Sequence, residues 1–158
     1  MQLPGLDALY DDFKAKGIDE VYCMSVNDSF VMNVWAETHE IENVKMIPDG
    51  SGEFTRDMDM LVWKPAQNFG YRSWRYAMTL NGMEVDRMWV EDGKNQMGLD
   101  SDPYEVTKPE NILKNLNTDL LSKFSAPSIV VICITLFLVL TYGIVVGGSR
   151  RWIYLLYT

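Results

Sequence analysis

Few residues in this sequence offer an atom that could react. The clearest is an arginine, Arg75, in the run Tyr71-Arg72-Ser73-Trp74-Arg75-Tyr76-Ala77-Met78-Thr79-Leu80. The run reads as a short strand, and Asn81-Gly82 turns it back into a second strand over Met83 to Val90. Asn-Gly between two apolar-rich runs is a strong hairpin signal, because a type I′ turn needs positive φ at both central residues. An arginine on a central strand is costly to bury, so it is expected to serve an anion. That anion is either a reacting group or a structural carboxylate such as Glu53 or Asp28.

The other candidates are two cysteines and one histidine. Cys23 lies within Val21-Tyr22-Cys23-Met24 and reads as an inert thiol in a buried strand. Cys133 lies in a longer apolar run and reads as a small apolar filler. The two are far apart and make neither a Cys-x-x-Cys redox pair nor a disulfide framework. With His39 alone, neither a histidine metal site nor a Ser-His triad can be assembled. No metal, nucleotide or other cofactor is expected.

The elements that would position Arg75 follow from periodicity. Leu6, Leu9, Tyr10 and Phe13 recur at helical spacing, which predicts an amphipathic helix over 5–16 stopped by Gly17. Glu20 to Val26 predicts a buried parallel strand. Asn27 or Asp28 caps a helix with Phe30, Val31, Val34 and Trp35 on one face, fading near His39. A short strand over Val44 to Ile47, a turn through Pro48-Asp49-Gly50 and a helix over Glu53 to Met58 come next. Leu61 to Trp63 is an edge strand, 91–109 is loop, and Pro109 opens a helix carrying Ile112, Leu113 and Leu116. Alternation of this kind predicts an α/β fold with a mixed sheet.

Charge narrows the partners. The chain has 158 residues with a net charge of −8. Without Arg150 and Arg151 the balance is 12 basic against 22 acidic residues, or −10. Nucleic acid is therefore not expected as a partner. Residues 129–146 hold no charged side chain. As a helix they would be about 27 Å long, against a hydrocarbon core of about 30 Å. They predict a single membrane span. Gly143 and Gly147 give a Gly-x-x-x-Gly spacing for helix packing. Arg150, Arg151 and Trp152 have the character of interfacial anchors. The expected organisation is a soluble domain over 1–116, a linker over 117–127, a transmembrane helix over 128–148 and an interfacial tail over 149–158.

Several stretches together resemble the type-five peroxiredoxins. They are Ser25-Val26-Asn27-Asp28-Ser29-Phe30-Val31-Met32 with Trp35, Ile47-Pro48-Asp49-Gly50 with Glu53-Phe54-Thr55, Arg72-Ser73-Trp74-Arg75-Tyr76, and Asp102-Pro103-Tyr104-Glu105-Val106. The resemblance covers about residues 2–116 and implies a thioredoxin-like fold with thiol peroxidase ancestry. In that family a thiolate, stabilised by a helix N-terminus and an arginine, attacks peroxide. The resemblance makes Arg75 that arginine. The family's Pro-x-x-x-Thr-x-x-Cys motif is absent, and Leu3-Pro4-Gly5 matches the segment just after it.

The family's first hairpin and the strand leading into its cysteine would also precede Met1, and that strand is central in the sheet. The expected domain is thus a thioredoxin-like one lacking its N-terminal strands. Either the sequence continues upstream, or the remaining elements rearrange, or a neighbouring subunit supplies a strand. These features lead us to expect a pseudoenzyme: a non-catalytic, membrane-anchored accessory subunit of a large photosynthetic or respiratory complex. Its partners would be lipid and other subunits, met through the span and the incomplete sheet, in a thylakoid or mitochondrial inner membrane. The alternative is a tail-anchored thiol peroxidase whose catalytic cysteine lies upstream of Met1.

Overall fold

The computed structural model describes residues 2–65, 68–95, 102–123 and 151–157. At the N-terminus Leu3, Leu6 and Phe13 are all buried, as the helical spacing requires. They lie on two short helices, α1 (Gln2–Ala8) and α2 (Tyr10–Ala15), not on one helix over 5–16. The break is at Leu9, whose φ of −99° and ψ of 10° leave the helical region. Gly17 stops α2 with a φ of 81° that a side chain would disfavour.

The apolar run that follows is β1 (Glu20–Ser25). It leads into α3 (Ser29–Thr38), capped by the Asp28 carboxylate, which accepts the Val31 amide at 2.9 Å. The buried stripe of α3 differs from the expected one. Met32 is buried and Trp35 packs partly against the core, whereas Phe30 is 80% exposed and Val31 and Val34 are also exposed. Residues three apart share a helix face, and the stripe through positions 32 and 35 is the one turned towards β1 and its neighbours.

Five further strands and two helices come next: β2 (Lys45–Pro48), α4 (Glu53–Asp57), β3 (Leu61–Lys64), β4 (Gly70–Ser73), β5 (Tyr76–Asn81), β6 (Glu84–Val90) and α5 (Pro109–Lys123). The β5–β6 hairpin has Gly82 and Met83 at its centre, since Asn81 pairs with Glu84. Gly82 has a φ of 65°, while neither Asn81 nor Met83 has positive φ. That is the pattern of a II′ turn, not the expected I′ turn. A bulge between Thr79 and Leu80 shifts the register and so moves the turn by one residue.

The main sheet has five strands in the order β2-β1-β7-β5-β6, where β7 is Arg151–Tyr157. β7 runs parallel to β1 and antiparallel to β5 over six pairs on each side, from Glu20↔Trp152 to Ser25↔Tyr157 and from Asn81↔Arg151 to Tyr76↔Leu156. The C-terminal segment is therefore the middle strand of this sheet. One face packs under α1, α2 and α5 around Phe13, Val21, Ala77, Ile112 and Ile153. The other packs beneath the separate β3–β4 pair around Met24, Val62, Trp74, Tyr76 and Met78.

This placement corrects the interfacial tail expected over 149–158. Arg151 opens β7, where its amide donates to the Asp19 carboxylate at 2.7 Å and its carbonyl accepts the Asp19 amide at 2.5 Å. Trp152 is the next residue of the same strand. A single membrane crossing would put its two ends on opposite faces of a bilayer. α5, which reaches Lys123, and β7 both belong to the described fold. The expected span over 128–148, Gly143, Gly147 and Arg150 lie outside the described residues. Among the described residues no helix is long and apolar enough to cross a membrane.

The turn before α4 has its own fixing point. The buried Asp49 donates its amide to Ser25 and accepts bonds from the Phe54 amide at 3.3 Å and the Thr55 amide at 2.9 Å and hydroxyl at 2.6 Å. Asp49→Ala strands those donors and is expected to cost about 1–3 kcal/mol, read as a lower urea midpoint at unchanged m-value.

Candidate functional site

Arg75 sits where the chain leaves β4 and enters β5, crossing from the two-stranded pair to the main sheet. It is on the link between strands and not, as expected, on a central strand. Its backbone is held from both sides. The Trp74 amide donates to the Met60 carbonyl at 2.6 Å, and the Trp74 indole donates to the Glu91 carbonyl at 2.8 Å. The Glu91 amide returns a bond to the Arg75 carbonyl at 3.2 Å. A wholly buried tryptophan thus fixes the residue that precedes the guanidinium.

The guanidinium is itself buried, at 6% exposure. Nη2 donates to Asp102 Oδ2 at 2.5 Å and Nη1 donates to the Pro103 carbonyl at 2.8 Å. The group also lies 5.2 Å above the Tyr104 ring. The structural carboxylate is therefore Asp102, not Glu53 or Asp28; Asp28 is engaged as the cap of α3. A second cation joins the site. Lys64, buried on β3, places Nζ 3.6 Å from Asp102 Oδ1 and 5.2 Å from the Trp74 ring. Two buried cations, Arg75 and Lys64, thus meet at the half-exposed Asp102 carboxylate.

The loop that carries Asp102 is tied down by a different acid. Glu91 accepts the amides of Glu105 at 2.9 Å, Val106 at 3.3 Å and Thr107 at 2.8 Å, together with the Thr107 hydroxyl at 2.6 Å. Burial pushes its carboxyl up, but the Thr107 hydroxyl and the three amides outweigh burial and hold it below the ordinary glutamate range. The same loop reaches α1, whose Gln2 side chain donates to the Thr107 carbonyl at 3.3 Å. The start of the chain is thus tied to the loop that carries Asp102.

Cys23 is elsewhere, buried at 3% exposure, and burial pushes its thiol up to about 12. At neutral pH it is neither a nucleophile nor a metal ligand. Cys133 lies outside the described residues. Among the described residues no group of three or more His, Cys, Asp or Glu could hold a metal ion. A cavity of about 350 Å³ below the main sheet is lined by Met24, Ile47, Met58, Met78, Met83 and other apolar residues, and offers no reactive group. Of the residues singled out by sequence, Arg75 alone falls in the polar site. Lys64 and Glu91 carried no sequence signal. Asp102 carried a position in a motif but no role.

Comparison with known proteins agrees with the geometry. The sequence profile of the Redoxin family matches residues 1–106. The chain is 53% identical over 115 residues to a peroxiredoxin of Rhizobium etli, covering 73% of this chain and 64% of that protein. A solved 1-Cys peroxiredoxin of Plasmodium falciparum superposes with a TM-score of 0.71 at 32% identity, covering 73% and 65% of the two chains. The reduced peroxiredoxin of Vibrio vulnificus in complex with hydrogen peroxide superposes at 0.64 with 37% identity, covering 73% and 66%. The chain spans less than two thirds of the Rhizobium etli protein's length. These relatives overturn the expectation of a non-catalytic, membrane-anchored accessory subunit: close relatives carry the name of thiol peroxidases, and none of them is named as a complex subunit.

Two outcomes follow from the site chemistry. Cys23 is expected to resist an aromatic disulfide reagent in the folded chain and to react only when denaturant exposes it. Glu91 has a folded pKa below its unfolded value, so its contribution is fully present above about 4.5, the ordinary glutamate value, and is lost as pH falls through the lower folded value. Denaturation followed against pH should therefore show a steeper acid limb for the native chain than for Glu91→Gln, which removes that titration and is less stable at pH 7.

Proposed function

Since the chain belongs to the redoxin family, we propose that it forms the larger part of a type-five peroxiredoxin, a thiol-dependent peroxidase, with Arg75 as its activating cation. The observation that carries this reading is the buried guanidinium, held in place by Asp102 and the Pro103 carbonyl with Lys64 beside the same carboxylate. The reaction needs that cation twice. It lowers the pKa of a nearby thiol, and it stabilises charge developing on the peroxide oxygens. The thiolate sulfur attacks one peroxide oxygen; an S–O bond forms as the O–O bond breaks. The electron pair leaves with the other oxygen, which takes a proton and departs as water or an alcohol. Sulfur is oxidised to a sulfenic acid; one reducing thiol condenses with it to a mixed disulfide and water, and a second releases the enzyme thiol as the reductant becomes a disulfide.

Cys23 cannot be that sulfur, because it is buried and un-ionised. We propose that the peroxidatic cysteine lies in residues upstream of Met1. In this reading Asp102 is the resting partner of Arg75, and Trp74 and Glu91 are the residues that keep the guanidinium in position.

The test takes the native protein, sequences its N-terminus and measures peroxide consumption with a thiol reductant. An upstream cysteine and activity are expected. Arg75→Met should then lower kcat/KM by about 10²–10³ while leaving the fold intact by circular dichroism. A native chain that starts at Met1 and consumes no peroxide would sink the reading.

A further inference from the structure

We infer that Lys64 is a positioning residue for the peroxidase site: it holds the Asp102 carboxylate so that Asp102 orients the Arg75 guanidinium without taking up its charge. The inference rests on the peroxidase reading for its chemistry and on the geometry around Asp102 for its residues. Lys64 is the last residue of β3 and pairs with Gly70 of β4, so the two-stranded pair fixes its backbone. Its side chain is only 5% exposed. A lysine ordinarily runs its ammonium out to water, and burying that charge is costly unless a partner is supplied. Here the ammonium ends beside Asp102 and over the Trp74 ring.

Two features of the contact point to a task at Arg75. At 3.6 Å the pair is beyond hydrogen-bond length, so Lys64 acts on Asp102 as a charge. The carboxylate is also divided: Oδ2 accepts from Arg75 Nη2, while Oδ1 faces Lys64. An arginine and a carboxylate frequently form a two-bond, fork-to-fork contact, which offsets the guanidinium charge more fully than a single bond does. With Oδ1 drawn towards Lys64 and Nη1 given to the Pro103 carbonyl, Asp102 meets Arg75 through one oxygen.

The other charged groups of the loop are engaged with one another or with amides. Lys108 pairs with Glu105 at 2.9 Å and lies 5.8 Å over the Tyr104 ring. Glu91 accepts the Thr107 hydroxyl and three loop amides. Among the described residues, Lys64 and Arg75 are the cations paired with Asp102. Removing Lys64 lets Oδ1 close on Arg75 and takes one positive charge from the site. Both changes raise the pKa of a thiol that Arg75 serves.

The experiment uses the native protein, with kcat/KM for hydrogen peroxide measured against pH; the midpoint of that profile reports the thiol of the free enzyme. Lys64→Met keeps the apolar stem and removes the charge. It should move the midpoint up by about one unit and lower kcat/KM about 10-fold on the acid side of it. Asp102→Asn removes the opposing charge and should move the midpoint down. In the Asp102→Asn background, Lys64→Met should shift the midpoint far less, because Lys64 acts through that carboxylate. Lys64→Arg, which keeps the charge, should return the midpoint to the native position. A role in packing alone would lower the plateau and leave every midpoint in place, and that result would overturn the inference. So would a Lys64→Met shift of equal size with and without the Asp102 carboxylate. If Lys64→Met fails to fold, an Asp102→Asn midpoint that does not fall overturns it instead. A native protein without peroxide activity overturns the inference together with the peroxidase reading. An active native protein that loses activity in Arg75→Met, but keeps its midpoint in Lys64→Met, overturns the inference alone.

Discussion

The structure depends on the pairing of β1 and β5 through a third strand. Both are buried on their faces, and each turns a row of peptide groups towards the same gap. Left open, that gap would bury unsatisfied donors and acceptors at about 1–3 kcal/mol apiece, against a typical net stability of only about 5–15 kcal/mol. β7 removes the problem by bonding on both sides at once. It also brings Ile153 into the cluster that holds α1, α2 and α5 against the sheet. The last described strand is therefore what joins the two halves of the core.

The polar site around Arg75 is built on that frame by a relay of ordinary contacts. β5 begins one residue after Arg75, and its first residue, Tyr76, pairs with Leu156 of β7. Trp74 crosses to Glu91 at the end of β6, and Glu91 in turn gathers the loop from Glu105 to Thr107. The loop delivers Asp102 and the Pro103 carbonyl to the guanidinium. A buried cation needs several partners with fixed geometry, and here Asp102, Pro103 and Tyr104 of one loop supply them. Glu91 holds both that loop and the Trp74 indole, which is why a glutamate with no evident chemistry of its own sits buried beneath the site.

Much of the fold was legible because local periodicity and punctuation are local physics. The Val21–Met24 run announced β1, Asp28 announced the cap of α3, and Pro109 announced α5. Gly17 announced the stop of α2. Other features were misread for equally physical reasons. The stripe of Phe30, Val31 and Val34 looked like a core face, but a helix buries the side its neighbours touch, and those neighbours are chosen by the sheet. The hairpin turn moved by one residue because a bulge, invisible in sequence, altered the register. The aromatic and aliphatic residues after Arg150 suit a lipid interface and a buried strand equally well, since both are apolar surroundings; pairing partners, not composition, distinguish them.

By itself the sequence determined the α/β character, the family motifs and the burial of Cys23, and it singled out Arg75. Each of these follows from residue type and near-neighbour spacing. Only the tertiary structure decided that Asp102 and Lys64 meet at Arg75, that Glu91 anchors their loop, and that residues 151–157 form the middle of the sheet. Those facts are long-range. They depend on which distant backbone groups and charges remain unsatisfied once the local elements have formed, and no window of sequence contains both partners.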